Sequence, residues 1–110
     1  MKARIPGGMD KGAMMKRIQQ MQEDMERVQA EIEASSYTAS AGGGAVEAVV
    51  SGKHEVQSIR IDPGVVDPDD VEMLQDMILV AVNEAIRKAS EAMDKGIEAA
   101  KGDLSIPGLM

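Results

Sequence analysis

Three consecutive glycines, Gly42, Gly43 and Gly44, are the part of this sequence that most resembles a phosphate-binding loop. Such a loop also needs a Lys-Ser or Lys-Thr pair after its glycines, or the start of a helix whose N–H groups face the anion. Here the glycines lead into residues 46–51, a valine-rich alternating stretch that is typical of a β-strand. The sequence therefore favours a turn before a strand over a nucleotide site.

The other residues with chemical potential do not form a catalytic or metal-binding pattern. His54 is the single histidine, and it lies in a predicted exposed turn where we expect it to be solvated. The acidic stretch 67–72 lacks the spacing and central glycine of a calcium loop, and either Asp67 or Asp69 is expected to cap a helix instead. There is no cysteine, which excludes disulfides and thiolate chemistry. We therefore expect no enzyme activity, no cofactor, no metal and no small-molecule substrate.

Composition predicts one small domain with a limited core. The chain has 110 residues, no Phe or Trp, one Tyr and ten Met, so it lacks the large buried area that aromatic side chains bring. A second copy of the chain could supply what one copy cannot bury. The first residues show no secretory signal, and the longest apolar run, residues 77–82, is too short for a membrane span. We expect a soluble, cytoplasmic protein without a membrane partner.

The first half of the chain contains a long amphipathic pattern. Apolar residues recur with spacings of 4, 3, 4, 3 and 4, which predicts a helix over about residues 9–35 with a seam on one face. At 1.5 Å per residue this helix is ~40 Å long, so part of it should project from the domain or pair with another helix. The seam residues are Met14, Ile18, Met21, Met25, Val28 and Ile32.

Three short strands and a second helix follow. The strands are expected at 37–41, 46–51 and 56–61, joined by turns so short that they predict an antiparallel meander. In the third strand, strict alternation puts Val56 on the face opposite Ile59 and Ile61. The second helix is apolar on more than one face, which favours burial against both the sheet and a partner. Its candidate dimer-interface residues are Leu74, Met77, Ile78, Leu79, Val82 and Ile86.

Specific segments of the chain resemble the YbaB/EbfC family of bacterial nucleoid-associated proteins. They are "MMKRIQQMQEDMERVQAEIE", "SAGGGAVEAVVSGKHEVQSIRIDP", "DVEMLQDMILVAVNEAIRKASE" and the tail "IPGLM". The resemblance implies one α+β domain over 1–110, with a long N-terminal helix, a three-stranded antiparallel meander and a long C-terminal helix. It also implies an intertwined homodimer that projects helices like tweezers, binds double-stranded DNA in the nucleoid and influences gene expression. Residues 1–8 and 103–110 are expected to be flexible tails.

Charge ranks the residues that could contact DNA. The formal net charge is −7, yet the first 18 residues carry five basic residues and one acid, and the remainder carries seven basic residues and eighteen acids. Phosphates need accessible Lys or Arg, and the N-terminal cluster has the least acid nearby. For the basic residues of the second helix the alternative to DNA contact is i, i+4 pairing, because Glu84 and Glu91 are four residues before Lys88 and Lys95. The candidates are Lys11, Lys16 and Arg17, then Lys2 and Arg4, then Arg87, Lys88 and Lys95. The alternative is an acidic coiled-coil scaffold that binds protein and not DNA.

The glycine stretch gives a first testable prediction. Calorimetric titration with ATP or NAD should detect no saturable binding, because no lysine, hydroxyl or helix start follows the glycines. A Gly43→Val substitution should lower stability and should not remove an activity. Nucleotide binding that disappears in a folded Gly43→Val variant would contradict the turn assignment.

Overall fold

The computed structural model of this chain describes residues 11–101. The three strands form one antiparallel sheet in the order β1-β2-β3, so the predicted α+β class and meander are confirmed. The predicted tails, 1–8 and 103–110, lie outside the described residues. The elements are α1 (Lys11–Glu33), β1 (Ser36–Ala41), β2 (Val46–Ser51), β3 (Val56–Ile61), a 3-10 turn (Pro63–Val65) and α2 (Val71–Ala100).

The core between α2 and the sheet is built mainly from alanine and valine. Ala81, Ala85 and Ala89 recur every four residues on one face of α2, and all three are fully buried. Small side chains in this row let the helix lie close to the strands. The largest fully buried side chains are Val46 and Val50, so this core is small, as the lack of aromatic residues predicts.

The start of α2 differs from the sequence prediction by one to three residues. Asp70 is the N-cap, and its Oδ1 accepts a hydrogen bond from the Met73 N–H at 3.2 Å. Asp67 accepts instead from the Asp69 N–H at 2.9 Å, within the turn that precedes the helix. The prediction of Asp67 or Asp69 as the cap was wrong because this turn, closed by a bond from Asp70 N–H to Asp67 O, delays the helix.

A bulge in β3 changes which of its residues share a face. Val49 pairs with Ser58 and Val50 pairs with Val56, so Gln57 is the extra residue on β3. Val56 therefore lies on the face of Val50, together with Ile59, which pairs with Ala48. Strict alternation had placed Val56 on the opposite face, and the bulge makes that prediction wrong.

The end of α1 is held by two close approaches around Ile32. A Cβ added to Gly52 would overlap the carbonyl oxygen of Ile32, and the Gly52 N–H donates to Ser35 O at 3.1 Å. A Cβ added to Gly96 would come within 2.6 Å of Ile32 Cδ1 and 2.8 Å of Val28 Cγ1. These contacts explain why α2 contains a glycine in its interior, which costs ~1 kcal/mol relative to alanine. They fix α1 against both the β2–β3 turn and α2.

Beyond this crossing α1 projects away from the rest of the chain. The helix spans Lys11–Glu33 within the predicted 9–35, and residues 9–10 lie outside the described part. Its last turn ends early because the Ser35 hydroxyl donates to Glu31 O at 2.8 Å. Residues 11–20 are all exposed. The chain measures 85 × 26 × 15 Å with a radius of gyration of 22.3 Å, against ~13 Å for a compact domain of 100 residues.

Gly52 provides a test of how α1 is held. Gly52→Ala should lower the free energy of unfolding by about 3 kcal/mol, near the upper end for overpacking, because backbone and not a flexible side chain blocks the new methyl group. The neighbouring Lys53→Ala is the matched control, since Lys53 is exposed. Urea unfolding at one fixed protein concentration measures both. Equal stability of the two variants would contradict the close approach.

Candidate nucleic-acid interface

The first three turns of α1, residues 11–20, form a cationic projection that we call the α1 tip. It carries Lys11, Lys16 and Arg17, all exposed, and no acidic residue occurs from 11 to 22. These are the cations that the sequence ranked first for phosphate contact, and the fold places them on the projecting part of the helix. Exposed Lys and Arg side chains are the type that contacts phosphate oxygens in protein–DNA complexes.

Cations closer to the body are engaged by acids, in contrast to those of the α1 tip. Arg27 Nη1 lies 2.9 Å from Asp24 Oδ1, and its Nε lies 4.0 Å from Glu31 Oε2. Arg60 binds Glu47 across strands at 3.0 Å. Between residues 11 and 101, the ion pairs use Arg27, Arg60 and Arg87, and none uses a cation of the α1 tip. The tip charge is therefore not neutralised within the described chain.

In the second basic cluster, Arg87, Lys88 and Lys95, two of the three side chains form contacts within the chain. Arg87 binds both Glu84 and Glu91, with Arg87 Nε 3.1 Å from Glu84 Oε1. The hydrogen bond from Arg87 holds the pKa of the Glu84 carboxyl below its usual value, and the bond to Glu84 raises the pKa of the Arg87 guanidinium. Lys88 Nζ donates to Thr38 O on β1 at 2.8 Å. The alternative pairing of these acids with Lys88 and Lys95 is corrected in its partner, because Arg87 reaches both carboxylates.

The two basic clusters lie far apart in one chain. Gly96 of α2 lies close to Val28 of α1, while Lys88 contacts Thr38 of β1. Because α1 leads into β1 and α2 runs from β1 to this crossing, the two helices run antiparallel. Lys11 lies 17 residues from Val28 along α1, and Lys88 lies eight residues from Gly96 in the opposite direction, which gives ~38 Å along the long axis. Lys95 is exposed near the crossing. Lys2 and Arg4 lie outside the described residues.

An uncovered apolar surface lies beside α2, above β3. Lys88 reaches β1 from one flank of α2, and Ser90 Oγ lies 3.0 Å from His54 Nε2 of the β2–β3 turn on the other flank. Leu79 is 11 residues from Ser90, about 20° away around a helix of 3.6 residues per turn, so it lies on the β3 flank. It is 59% exposed. We call this surface the β3 notch; it comprises Val56, Ile59, Leu79, Val82 and Ile86.

The predicted interface residues and the β3 notch overlap only in part. Leu74, Met77, Ile78, Val82 and Ile86 are half-buried against the chain's own core, whereas Leu79 is exposed. Val56 and Ile59, 47% and 40% exposed, were not among the predicted residues. Their apolar type was a usable signal, but only the bulge at Gln57 brings both to the helix side of the sheet.

The glycine stretch forms the β1–β2 turn, as the sequence predicts. Gly42, Gly43 and Gly44 have φ of 65°, 69° and 97°, in the region that favours glycine. A Cβ on Gly42 would also come within 2.5 Å of Met77 Sδ. His54 is exposed with φ of 67°, but its contact with Ser90 corrects the expectation that it is merely solvated.

Within residues 11–101 no cluster of three His, Asp or Glu side chains is arranged to hold a metal ion. Neither helix described there is apolar over a stretch long enough to cross a membrane.

The chain matches a family of DNA-binding proteins over most of its length. A model of the YbaB/EbfC DNA-binding family covers residues 7–104. The chain belongs to this family, which is defined as a DNA-binding family and not as a class of enzymes.

Individual relatives agree with this assignment. A nucleoid-associated protein of Alkaliphilus metalliredigens is 57% identical over 96 residues, covering 87% of this chain and 84% of the relative. One from Clostridium acetobutylicum is 52% identical over 103 residues, covering 94% and 92%. The crystal structure of an uncharacterised Helicobacter pylori protein has the same fold, with a TM-score of 0.66 at 21% identity over 88% of this chain and 99% of that one.

Proposed function

We propose that this protein is a nucleoid-associated protein that binds duplex DNA as a homodimer and influences gene expression without catalysing a reaction. The observation that carries the proposal is the α1 tip: three exposed cations that form no ion pair with any residue from 11 to 101, on a projecting helix of a member of a DNA-binding family. Its cellular place would then be the cytoplasm, on the nucleoid. Two tips per dimer would double the number of phosphate contacts.

The β3 notch supports the dimer. Val56 and Ile59 lie on the helix side of the sheet, but α2 covers β1 and β2 and leaves these two exposed. By its angle around α2, Leu79 lies on the side of the helix that faces the same strand. Burial of a Leu or Val side chain stabilises by about 1.5–3 kcal/mol, and a second copy seated here would bury the same residues from each chain. The partner would then add buried apolar area to the small core of each chain.

The dimer proposal is tested by placing a charge in the β3 notch. Leu79→Asp and Ile59→Asp should each give a monomer, because an unpaired charge buried in an interface costs several kcal/mol. Val82→Asp should unfold the chain as well, since Val82 also packs on its own core. Light scattering measures the mass and circular dichroism measures the fold.

Val80→Asp is the matched control for dimerisation. Val80 is 57% exposed and is seven residues from Arg87, so it lies on the flank of the Arg87 ion pairs and not over β3. This variant should remain dimeric. Stable dimers from both Leu79→Asp and Ile59→Asp would refute the β3 notch as the interface.

DNA binding is tested by reversing the charge of the α1 tip. The triple variant Lys11→Glu, Lys16→Glu and Arg17→Glu should weaken binding to every duplex. It should also flatten the dependence of affinity on salt, whose log–log slope is about −0.9 per phosphate neutralised. Dimerisation should persist, because the tip lies outside the β3 notch. Fluorescence anisotropy at several salt concentrations measures both quantities.

A control with the same change in net charge separates a local contact from general repulsion. Lys53, Arg60 and Lys101 are exposed and lie off the α1 tip, so reversing all three should reduce affinity far less, provided that circular dichroism shows the fold to survive loss of the Arg60–Glu47 pair. Equal loss in both triple variants would contradict a site at the tip. If the tip variant binds as tightly as the parent, the contacts lie at Arg87, Lys88 and Lys95. If the parent does not bind duplex at low salt, a protein-binding scaffold replaces the DNA proposal.

A further inference from the structure

The apolar seam of α1 continues past the region that α2 covers. Met21, Met25, Val28 and Ile32 are half-buried, and the last two pack against Gly96. Met14 and Ile18 continue the same seam at i, i+4 spacing, yet they are 49% and 45% exposed. Two large apolar side chains therefore face outward on the part of the helix that carries Lys11, Lys16 and Arg17.

The cations of the α1 tip are not distributed evenly around this stripe. At ~100° per residue, Lys11 lies about 40° to one side of the centre of the Met14–Ile18 stripe, and Arg17 lies about 80° to the other side. Lys16 lies about 180° away, on the back of the helix. One face thus has an apolar centre with a positive charge on each side.

This pattern complements the major groove of a duplex. An α-helix is 10–12 Å across and the major groove is ~12 Å wide, with phosphates along both walls. The apolar feature on the floor of that groove is the C5-methyl group of thymine, which apolar side chains contact. A stripe of Met and Ile flanked by Lys and Arg matches both the floor and the walls.

We infer that the α1 tip enters the major groove with the Met14–Ile18 stripe against thymine methyl groups, while Lys11 and Arg17 contact phosphates on the two sides. The inference rests on the proposed DNA binding. It adds a preference for sites that present thymine methyl groups in the major groove, and therefore a preference for certain sequences. Lys16, on the back of the helix, contributes less than the other two cations.

Charge argues against the α1 tip of a second copy as the occupant of this stripe. Two tips packed along Met14 and Ile18 would bring the Lys11 and Arg17 pairs of both chains together, and like charges at such distances repel. The tip has no acidic residue that could offset this repulsion. A polyanion has the opposite effect, because the same cations then become contacts.

The test compares a duplex containing thymine with the same duplex in which every thymine is replaced by uracil, which removes only the methyl groups. The parent protein should lose about four-fold in affinity for each methyl contacted, which corresponds to ~0.8 kcal/mol per buried CH₂ group. The double variant Met14→Ala, Ile18→Ala should bind the thymine duplex more weakly and should not distinguish the two duplexes.

Three controls separate methyl contact from other effects. Lys11→Gln and Arg17→Gln should weaken binding to both duplexes by the same factor, since phosphates are unchanged, and Lys16→Gln should have a smaller effect. Val80→Ala, an exposed apolar truncation on α2, should leave the discrimination of the parent intact. Circular dichroism should show that the Met14→Ala, Ile18→Ala variant keeps its helix content.

The outcomes distinguish this inference from the proposed function. Tight, salt-dependent binding without discrimination between thymine and uracil would overturn the methyl contact while leaving DNA binding in place. A change of mass in light scattering for the Met14→Ala, Ile18→Ala variant would show that a second copy covers the stripe, which also overturns the inference. Failure of the parent to bind either duplex at low salt would remove the proposed function itself.

Discussion

The direction of α1 depends on how Ile32 is held between two glycines. Its carbonyl lies against Gly52 of the β2–β3 turn, and its side chain lies against Gly96 of α2. A Cβ at Gly52 would meet the backbone of α1, and a Cβ at Gly96 would meet the ends of the Ile32 and Val28 side chains, so α1 lies close to both the β2–β3 turn and α2. The projection of α1 depends on these two contacts. The exposure of its cations and of its apolar stripe follows from that projection. Because protein interiors are close-packed and transmit strain, a small displacement at Ile32 would shift the far end of a rigid helix.

The alanine row of α2 determines what the sheet leaves uncovered. Because Ala81, Ala85 and Ala89 are short, α2 lies low over β1 and β2, and its centre does not reach β3. Larger side chains in this row would hold α2 farther from the sheet. Val56 and Ile59 of β3 are then exposed because of how the core itself is built. The small core and the uncovered strand are two consequences of the same absence of large side chains.

The sequence allowed the elements to be predicted because their signals are periodic and strong. The seam of α1 and the short turns of the meander each repeat over many residues, and a local error does not change the element. The bulge at Gln57 could not be predicted, since one extra residue in a ladder leaves no periodic signal. The sequence also could not show that Arg87, and not Lys88 or Lys95, would pair with Glu84 and Glu91. Exposed pairs at i, i+3 and i, i+4 differ by only a few tenths of a kcal/mol, so propensity does not select among them.

For the candidate site, the sequence indicated the cations of the α1 tip, but their separation from the second cluster came from the helix crossing.

An acidic chain can present a cationic site when the charges are separated by more than the screening distance. Apart from Asp10, which directly precedes Lys11 in the sequence, the nearest acid along the chain is Glu23, six residues from Arg17 and twelve from Lys11, which corresponds to ~9 and ~18 Å along the helix. The Debye length is ~8 Å at physiological ionic strength, so the acids of the body are largely screened at the tip. At low salt the same acids act over a longer range and repel the duplex from the body. The acidic surface then favours approaches in which only the tips meet DNA, and it contributes to orientation without cancelling the local attraction.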